Sequence, residues 1–158
     1  MVTDKKAPLE NLELMLPGFR FYKIMDMIKQ DDALVRYALK DNLEKLREKI
    51  ERNEKDIVLR TPYDSIIQDY ESTLSILRAF IQEVIASPTG IYTIYSRYKI
   101  ETQDIENVLS YDYFLLKESK ELIENFNKFS ILDIKEKIGE LREKYQLREK
   151  YFKPDRIK

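Results

Sequence analysis

Carboxylates are the side chains of this sequence that are best suited to acid–base or metal chemistry. Three pairs lie close together along the chain: Asp31 with Asp32, Asp64 with Asp69, and Glu101 with Asp104. Paired carboxylates can share a proton or bind magnesium. The 158-residue chain contains 29 acidic residues, so such pairs also arise by chance. We therefore interpret these six side chains as solvated helix faces and helix caps.

Other reactive groups are missing from the sequence. It contains no histidine and no cysteine, which removes the commonest general base, the commonest metal ligand and all thiolate chemistry. Its three glycines, Gly18, Gly90 and Gly139, are too far apart for a phosphate-binding loop, which needs closely spaced glycines. The sequence therefore predicts a protein that is not an enzyme and that uses no cofactor and no metal ion.

The composition is typical of a folded, heavily charged protein. Hydrophobic residues make up 43% and charged residues 36%, against ~25% charged in an ordinary globular protein. The net charge of −1 gives no attraction of the whole molecule to nucleic acid or to an anionic membrane. There is no apolar run of ~18 residues and no signal-peptide core. We expect a soluble cytoplasmic protein, with a composition that also suits a thermophile.

Apolar spacing predicts an all-α fold, a multi-helix bundle of about five to six helices. Residues 1–18 are predicted to form a partly ordered N-terminal arm. A short helix follows Phe19, includes Met25, and ends at Gln30-Asp31, where Asp31 or Asp32 can cap the next helix. That second helix is long and charged, runs to about Asp56, and has one apolar seam, formed by Val35, Leu39, Leu43, Leu46 and Ile50.

Start signals then divide the rest of the chain into further helices. Thr61-Pro62-Tyr63-Asp64 predicts a central helix from Pro62 to about Ala86, and Ser87-Pro88 predicts another. Ser110 can cap a further helix, and Ser130 with Asp133 starts the last one. No segment alternates in the manner of a strand. The predicted organisation is a helical bundle domain at 19–129 and a C-terminal amphipathic helix and tail at 130–158.

Two narrow apolar seams can pair either within the bundle or with a partner protein, and the sequence does not separate these alternatives. In a small chain, such seams exceed what one compact core needs, and surplus apolar surface is typical of association. We therefore predict a partner interface, or a self-association surface, on two groups of residues: Leu39, Leu43, Leu46 and Ile50 of the long helix, and Ile134, Ile138, Leu141 and Tyr145 of the last helix.

Basic residues near the C-terminus raise the alternative of a nucleic-acid contact. Residues 131–158 carry nine basic and six acidic side chains. Because the acids are intermixed with the bases, we interpret this segment as a solvated helix surface with weak or no direct binding of nucleic acid. The tyrosines at helical spacing are interpreted as core or interface residues.

Two motifs between Ile91 and Phe129 have a distinctive order. Tyr95 is followed by Arg97 and then by Lys99-Ile100-Glu101, and Leu109-Ser110 is followed by Tyr113 and Phe114. The first motif resembles a helix in subunits of the GINS replication complex that carries a tyrosine, an arginine and then Lys-Ile-Glu. The second resembles the next GINS helix, which opens with a Leu-Ser or Leu-Thr cap. The predicted helix order is also similar to that of the GINS helical domain.

This resemblance implies a non-enzymatic scaffold subunit of a four-membered assembly. That assembly joins the replicative MCM helicase to a nuclease-like partner and to primase or polymerase at the replication fork. The motif residues would have structural roles, and the long helix would face sister subunits. Two features depart from the family: residues 130–158 are too short for the small β-rich domain of many GINS subunits, and the acidic turn after Ser110 is weaker.

Two other classes of protein remain open at this point. One is a helical adaptor or coiled-coil interaction protein that has no connection with replication, for which the same composition would serve. The other is a small helical domain that binds nucleic acid. All three hypotheses share a helical fold and the absence of membrane binding, and they differ in the partner.

Overall fold

The computed structural model describes residues 6–23, 28–86 and 97–155. In this part of the chain the elements are five α-helices, two short strands and two single-turn 3-10 helices. The α-helices are α1 (Lys6–Met15), α2 (Ile28–Arg60), α3 (Ile66–Ile85), α4 (Ile105–Glu124) and α5 (Ile131–Glu149). The strands are β1 (Arg97–Lys99) and β2 (Lys153–Asp155), and the 3-10 helices are Thr102–Asp104 and Phe126–Lys128. The prediction of an all-α, multi-helix fold is confirmed.

The long helix α2 is continuous where the sequence predicted a break. It has 33 residues, which corresponds to about 50 Å. It begins at Ile28, so the predicted helix end at Gln30-Asp31 is wrong, and Asp31 does not cap it. Met25 lies outside the described residues. The predicted seam is buried along its whole length, at Val35, Leu39, Leu43, Leu46 and Ile50.

The connection between α2 and α3 uses its polar residues differently from the prediction. The Thr61 hydroxyl donates to the Ile57 carbonyl oxygen at 3.2 Å, on the last turn of α2. The Asp64 carboxylate accepts from the N–H of Ile66 at 3.0 Å. The Thr-Pro-Tyr-Asp segment therefore closes one helix and leads into the next, and α3 begins at Ile66 instead of Pro62.

The starts of α4 and α5 test two predicted caps. Ser110 lies inside α4, which begins at Ile105, so that prediction is wrong. At α5 the capping box is confirmed: the Asp133 N–H donates to the Ser130 hydroxyl at 3.1 Å, and the Ser130 N–H donates to the Asp133 carboxylate at 3.4 Å.

The chain forms a small antiparallel ribbon that the sequence did not predict. Residue Arg97 pairs with Asp155 and Lys99 with Lys153. The helix predicted to start at Ser87-Pro88 is therefore wrong at β1, and β2 lies within the predicted tail after α5. Strands of three residues are too short to show alternation in a sequence. The rest of that predicted helix, residues 87–96, lies outside the described residues.

Four helices form the body of the molecule. α2 packs against α3 and α4, and α5 packs against the same two helices from the opposite corner. α1 packs on α4, where Leu12 and Leu16 are buried. Buried residues from all five helices belong to a single hydrophobic core. Among the residues that the structure describes, no helix is long and apolar enough to cross a bilayer.

Candidate functional site

The residues predicted as a partner interface lie inside the chain's own core. Their exposed fractions range from 0% to 3%. They are Leu39, Leu43, Leu46, Ile50, Ile134, Ile138, Leu141 and Tyr145. The helices that carry them, α2 and α5, each pack against α3 and α4. A partner cannot reach these side chains on the folded chain, so the hypothesis is corrected: both seams hold this bundle together.

A different apolar surface is exposed, where α2 and α3 are joined. We call residues 51–71 the hairpin tip; Tyr70 is its only buried residue. Three large apolar side chains of the tip are exposed, Val58 at 41%, Leu59 at 74% and Tyr63 at 99%. Leu132, at the start of α5, is also exposed. Exposed apolar side chains close together in one helical hairpin are a candidate for protein binding, because isolated domains rarely leave large apolar patches in water.

The hairpin tip is exposed because the neighbouring helix ends below it. The Lys49 ammonium donates to the Ile123 carbonyl oxygen at 2.8 Å, which places the last turn of α4 beside Lys49. The last buried residue of α2 is Ile50. The ten residues from Glu51 to Arg60 extend α2 by about 15 Å past this level. The tip is therefore a projecting pair of helices with a short connection.

Carboxylates lie close together at the base of the hairpin tip. Burial, with a hydrogen bond and charge repulsion from Glu71, raises the pKa of Glu54 to about 7. Arg78 is the cation that acts on Glu54, and its guanidinium pairs with Glu51 at 3.2 Å. Arg47 also contacts Glu51, at 3.1 Å. The Glu54–Glu71 pair is thus only partly neutralised by the chain's own bases.

A second candidate site is a cluster of charged residues inside the bundle. Arg148 of α5 is fully buried, and its Nε donates to the carboxylate of Asp112 on α4. One Nη donates to Asp32 of α2 at 2.8 Å and to the Tyr22 hydroxyl at 3.1 Å, and the other donates to Glu149 at 2.8 Å. We call Tyr22, Asp32, Asp112, Arg148 and Glu149 the charge cluster.

The chain before α2 is held by Tyr22 of this cluster and by Asp31. The Tyr22 hydroxyl donates to Asp112, and the backbone N–H groups of Arg20 and Tyr22 each donate to the Asp31 carboxylate at 3.0 Å. Phe21 and Tyr22 have φ angles of 58° and 61°, which bulky residues rarely adopt. The strain is sustained by these hydrogen bonds and by the packing of Tyr22 against Phe19, at 5.3 Å between ring centroids.

Electrostatics within the charge cluster favour a charged arginine. Burial alone would lower the pKa of Arg148, but the negative charges of Asp112 and Asp32 and the Tyr22 oxygen raise it well above its ordinary value. Burial raises the pKa of the Asp112 carboxyl, and Arg148 acts in the opposite direction. Burial and Asp112 raise the pKa of Tyr22, so its hydroxyl stays protonated as a donor. The cluster is interpreted as a structural crosslink between four segments.

The charge cluster could have been found from helix periodicity, although its residues are charged. Arg148 follows Tyr145 by three positions and therefore continues the buried stripe of α5. Asp112 likewise lies on the buried face of α4, and Asp32 on that of α2. Interpreting Arg148 as part of a solvated surface, and Asp32 as a cap, was wrong, because a charge at a seam position is buried when opposite charges meet it.

The GINS-like motif residues are dispersed over several elements. Tyr95 lies outside the described residues, and Arg97 and Lys99 belong to β1 instead of a helix. Ile100 and Leu109 are buried in the hydrophobic core. Glu101 is half-buried beside the strand, and Ser110 is exposed on α4. The backbone at β1 therefore differs from the helix that the resemblance implied.

The remaining carboxylate pairs do not form a compact site. Asp64 is part of the α2–α3 connection. Asp104 borders an open depression that Tyr111, Lys150 and Tyr151 also line. Within the described ranges, no group of three acidic residues is arranged to hold a metal ion.

Comparisons of the chain with protein-family models, with curated proteins and with solved structures found no match. The fold and the sites define the class of protein as a single-core helical bundle with a projecting helical hairpin and a buried charge cluster.

Proposed function

We propose that this protein is a non-enzymatic scaffold that binds another protein through its hairpin tip. The observation that carries the proposal is the group of exposed apolar residues, Val58, Leu59 and Tyr63, on an element that extends past α4. Exposed apolar groups on a projecting element are typical of protein interaction sites. Scaffolding needs such a surface and needs no reacting groups.

Within this class we propose a GINS-like subunit of a DNA replication complex, which binds sister subunits and the replicative MCM helicase. The succession of a long charged helix and a broad apolar helix supports this proposal. The Leu109-Ser110 motif gives weaker support, because it lies inside α4 and does not begin that helix. The first motif supports it less, because Arg97 and Lys99 lie on a strand. The proposed location is the cytoplasm, at the replication fork.

A helical adaptor unrelated to replication is the second candidate. The hairpin tip would serve such a protein equally well, since its exposed residues specify an apolar contact and not a pathway. The two candidates predict different partners.

Co-purification of the tagged, full chain from its own cells distinguishes these candidates. For the GINS-like function we expect stoichiometric recovery of an MCM helicase and of a second small helical subunit, identified by mass spectrometry. Recovery of a different defined protein would favour the adaptor. A chain that remains a solitary monomer or a stable homodimer under native conditions would contradict the scaffold function.

A further inference from the structure

We infer that the partner segment that docks on the hairpin tip is a basic amphipathic helix, with an apolar stripe flanked by lysine or arginine. This inference rests on the proposed scaffold function and specifies the chemistry of its partner. The apolar stripe would cover Val58, Leu59 and Tyr63, and the basic flank would face the carboxylates at the base of the tip.

Charge is distributed unevenly between the tip and the rest of the chain. The hairpin tip contains six acidic residues, Glu51, Glu54, Asp56, Asp64, Asp69 and Glu71, and three basic residues, Arg52, Lys55 and Arg60. Its net charge is −3, whereas the whole chain has −1, so the remaining residues carry +2. Complementary charge steers association and selects among partners, so a basic segment is favoured at this end.

The carboxylates at the base of the tip add a local preference for a cation. Glu54 and Glu71 face each other, and the nearby Arg78 is shared with Glu51. A lysine or arginine that approaches this pair relieves repulsion that the free chain retains. An acidic or apolar partner would increase it, because burying an unpaired carboxylate is unfavourable.

The same charge argues against other occupants. A second copy joined tip to tip would bring −3 against −3, and like charges across an interface are unfavourable. Nucleic acid and anionic membranes would be repelled for the same reason. An apolar centre with a charged rim is the usual anatomy of a protein interface, and an amphipathic helix fits such a surface.

The inference is testable with two fluorescent helical peptides that share one leucine stripe. One peptide has lysine and arginine beside the stripe, and the other has glutamate at the same positions. Fluorescence anisotropy with the full chain should show the basic peptide binding at least about tenfold more tightly, with an affinity that falls as salt is raised.

Variants of the full chain locate the contact. V58N/L59N should bind the basic peptide at least roughly tenfold more weakly than the wild-type chain does. E54Q/E71Q should bind the same peptide more weakly, and its affinity should depend less on the salt concentration. Tyr37→Ser is the matched control, since Tyr37 is 67% exposed on α2 outside the tip. This variant should bind the basic peptide with the affinity of the wild-type chain. All five side chains lie outside the fully buried core, and circular dichroism at 222 nm verifies the fold.

Three outcomes would overturn the inference: equal affinity for both peptides, no binding of the basic peptide, or unchanged affinity in V58N/L59N. Co-purification with V58N/L59N separates this failure from failure of the scaffold function. If this variant loses a partner that the wild-type chain recovers while the two peptides bind equally, the proposed function stands and only the inference about the partner's charge fails. If the variant retains that partner, the tip is not the binding site and both proposals fail. If the wild-type chain recovers no partner, the scaffold function itself fails.

Discussion

Replacing Arg148 by methionine tests the interpretation of the charge cluster most directly. Methionine has a similar length and is apolar, so it occupies the space with little change in volume. The substitution removes four hydrogen bonds, to Asp112, Asp32, Tyr22 and Glu149. It also removes the contact with Phe152, whose ring lies 4.6 Å from the guanidinium carbon.

The expected loss follows from the charges that remain. Arg36 lies beside the cluster and contacts Asp32 at 2.8 Å; without Arg148 it would have to balance the three carboxylates of the cluster alone. Removing one partner of a buried ion pair lowers stability by about 3–5 kcal/mol, because a charge is left without compensation. The whole free energy of unfolding of a domain of this size is about 5–15 kcal/mol. We expect R148M to lose a large fraction of it.

Urea denaturation at pH 7, followed by circular dichroism at 222 nm, measures this loss. R142M is the matched control, because Arg142 pairs with Glu83 where both side chains are about one-third exposed, at 33% and 31%. It should lose less than about 1 kcal/mol. The double variant R148M/D112N should be more stable than the sum of the single losses predicts, since it removes both buried charges.

The pH dependence of the stability of R148M provides a second test of the cluster. Without Arg148, the pKa of Asp112 rises further, so the folded form takes up a proton that the unfolded form releases. Stability of R148M should therefore fall as the pH rises, and its deficit from wild type should be smaller at pH 5 than at pH 8. A loss below about 1 kcal/mol for R148M, or a loss independent of pH, would refute the assigned role of the cluster.

Three further predictions concern single positions outside the cluster. Burial and Glu71 raise the pKa of Glu54 from 4.5 to about 7, so the stability of the wild-type chain should fall as the pH rises through that range. In urea denaturation, Glu54→Gln should gain roughly 1 kcal/mol of stability at pH 8 and little at pH 5, and an equal gain at both pH values would count against this explanation. Ser130→Ala should lose about 1 kcal/mol of stability in thermal denaturation because the capping box is lost, while Ser130→Asp should keep most of the wild-type stability. An unchanged melting temperature for the alanine variant would contradict the cap. Gly139→Ala should gain about 0.5–1 kcal/mol, since an added Cβ has nothing within 4 Å and helical glycine is unfavourable, and a loss in the same assay would exclude this explanation.

Elements with strong local signals were predicted correctly. The apolar spacing of α2 identified its buried seam, and Ser130 with Asp133 identified the start of α5, because helix periodicity and capping depend on residues a few positions apart. The start of α3 was misplaced by four residues, since the polar residues of the α2–α3 connection hydrogen-bond to either helix. The ribbon was missed because its strands are short and distant in sequence.

The sequence did not predict which residues form the candidate site. The absence of histidine and cysteine and the amphipathic spacing indicated a helical protein whose function depends on its surfaces. Tertiary packing decided which apolar residues remain for a partner: Leu43 and Ile138 are covered within the bundle, and Leu59 is not. That outcome depends on where α4 ends relative to α2, which no local pattern specifies.

The charge cluster shows the same division between local and non-local information. Amino-acid type and periodicity alone placed Asp32, Asp112 and Arg148 on helices. Their burial depended on an encounter between residues 36 and 116 positions apart in the chain. A buried charge is stable only where opposite charges and hydrogen-bond partners surround it, and only the packed helices bring those partners together.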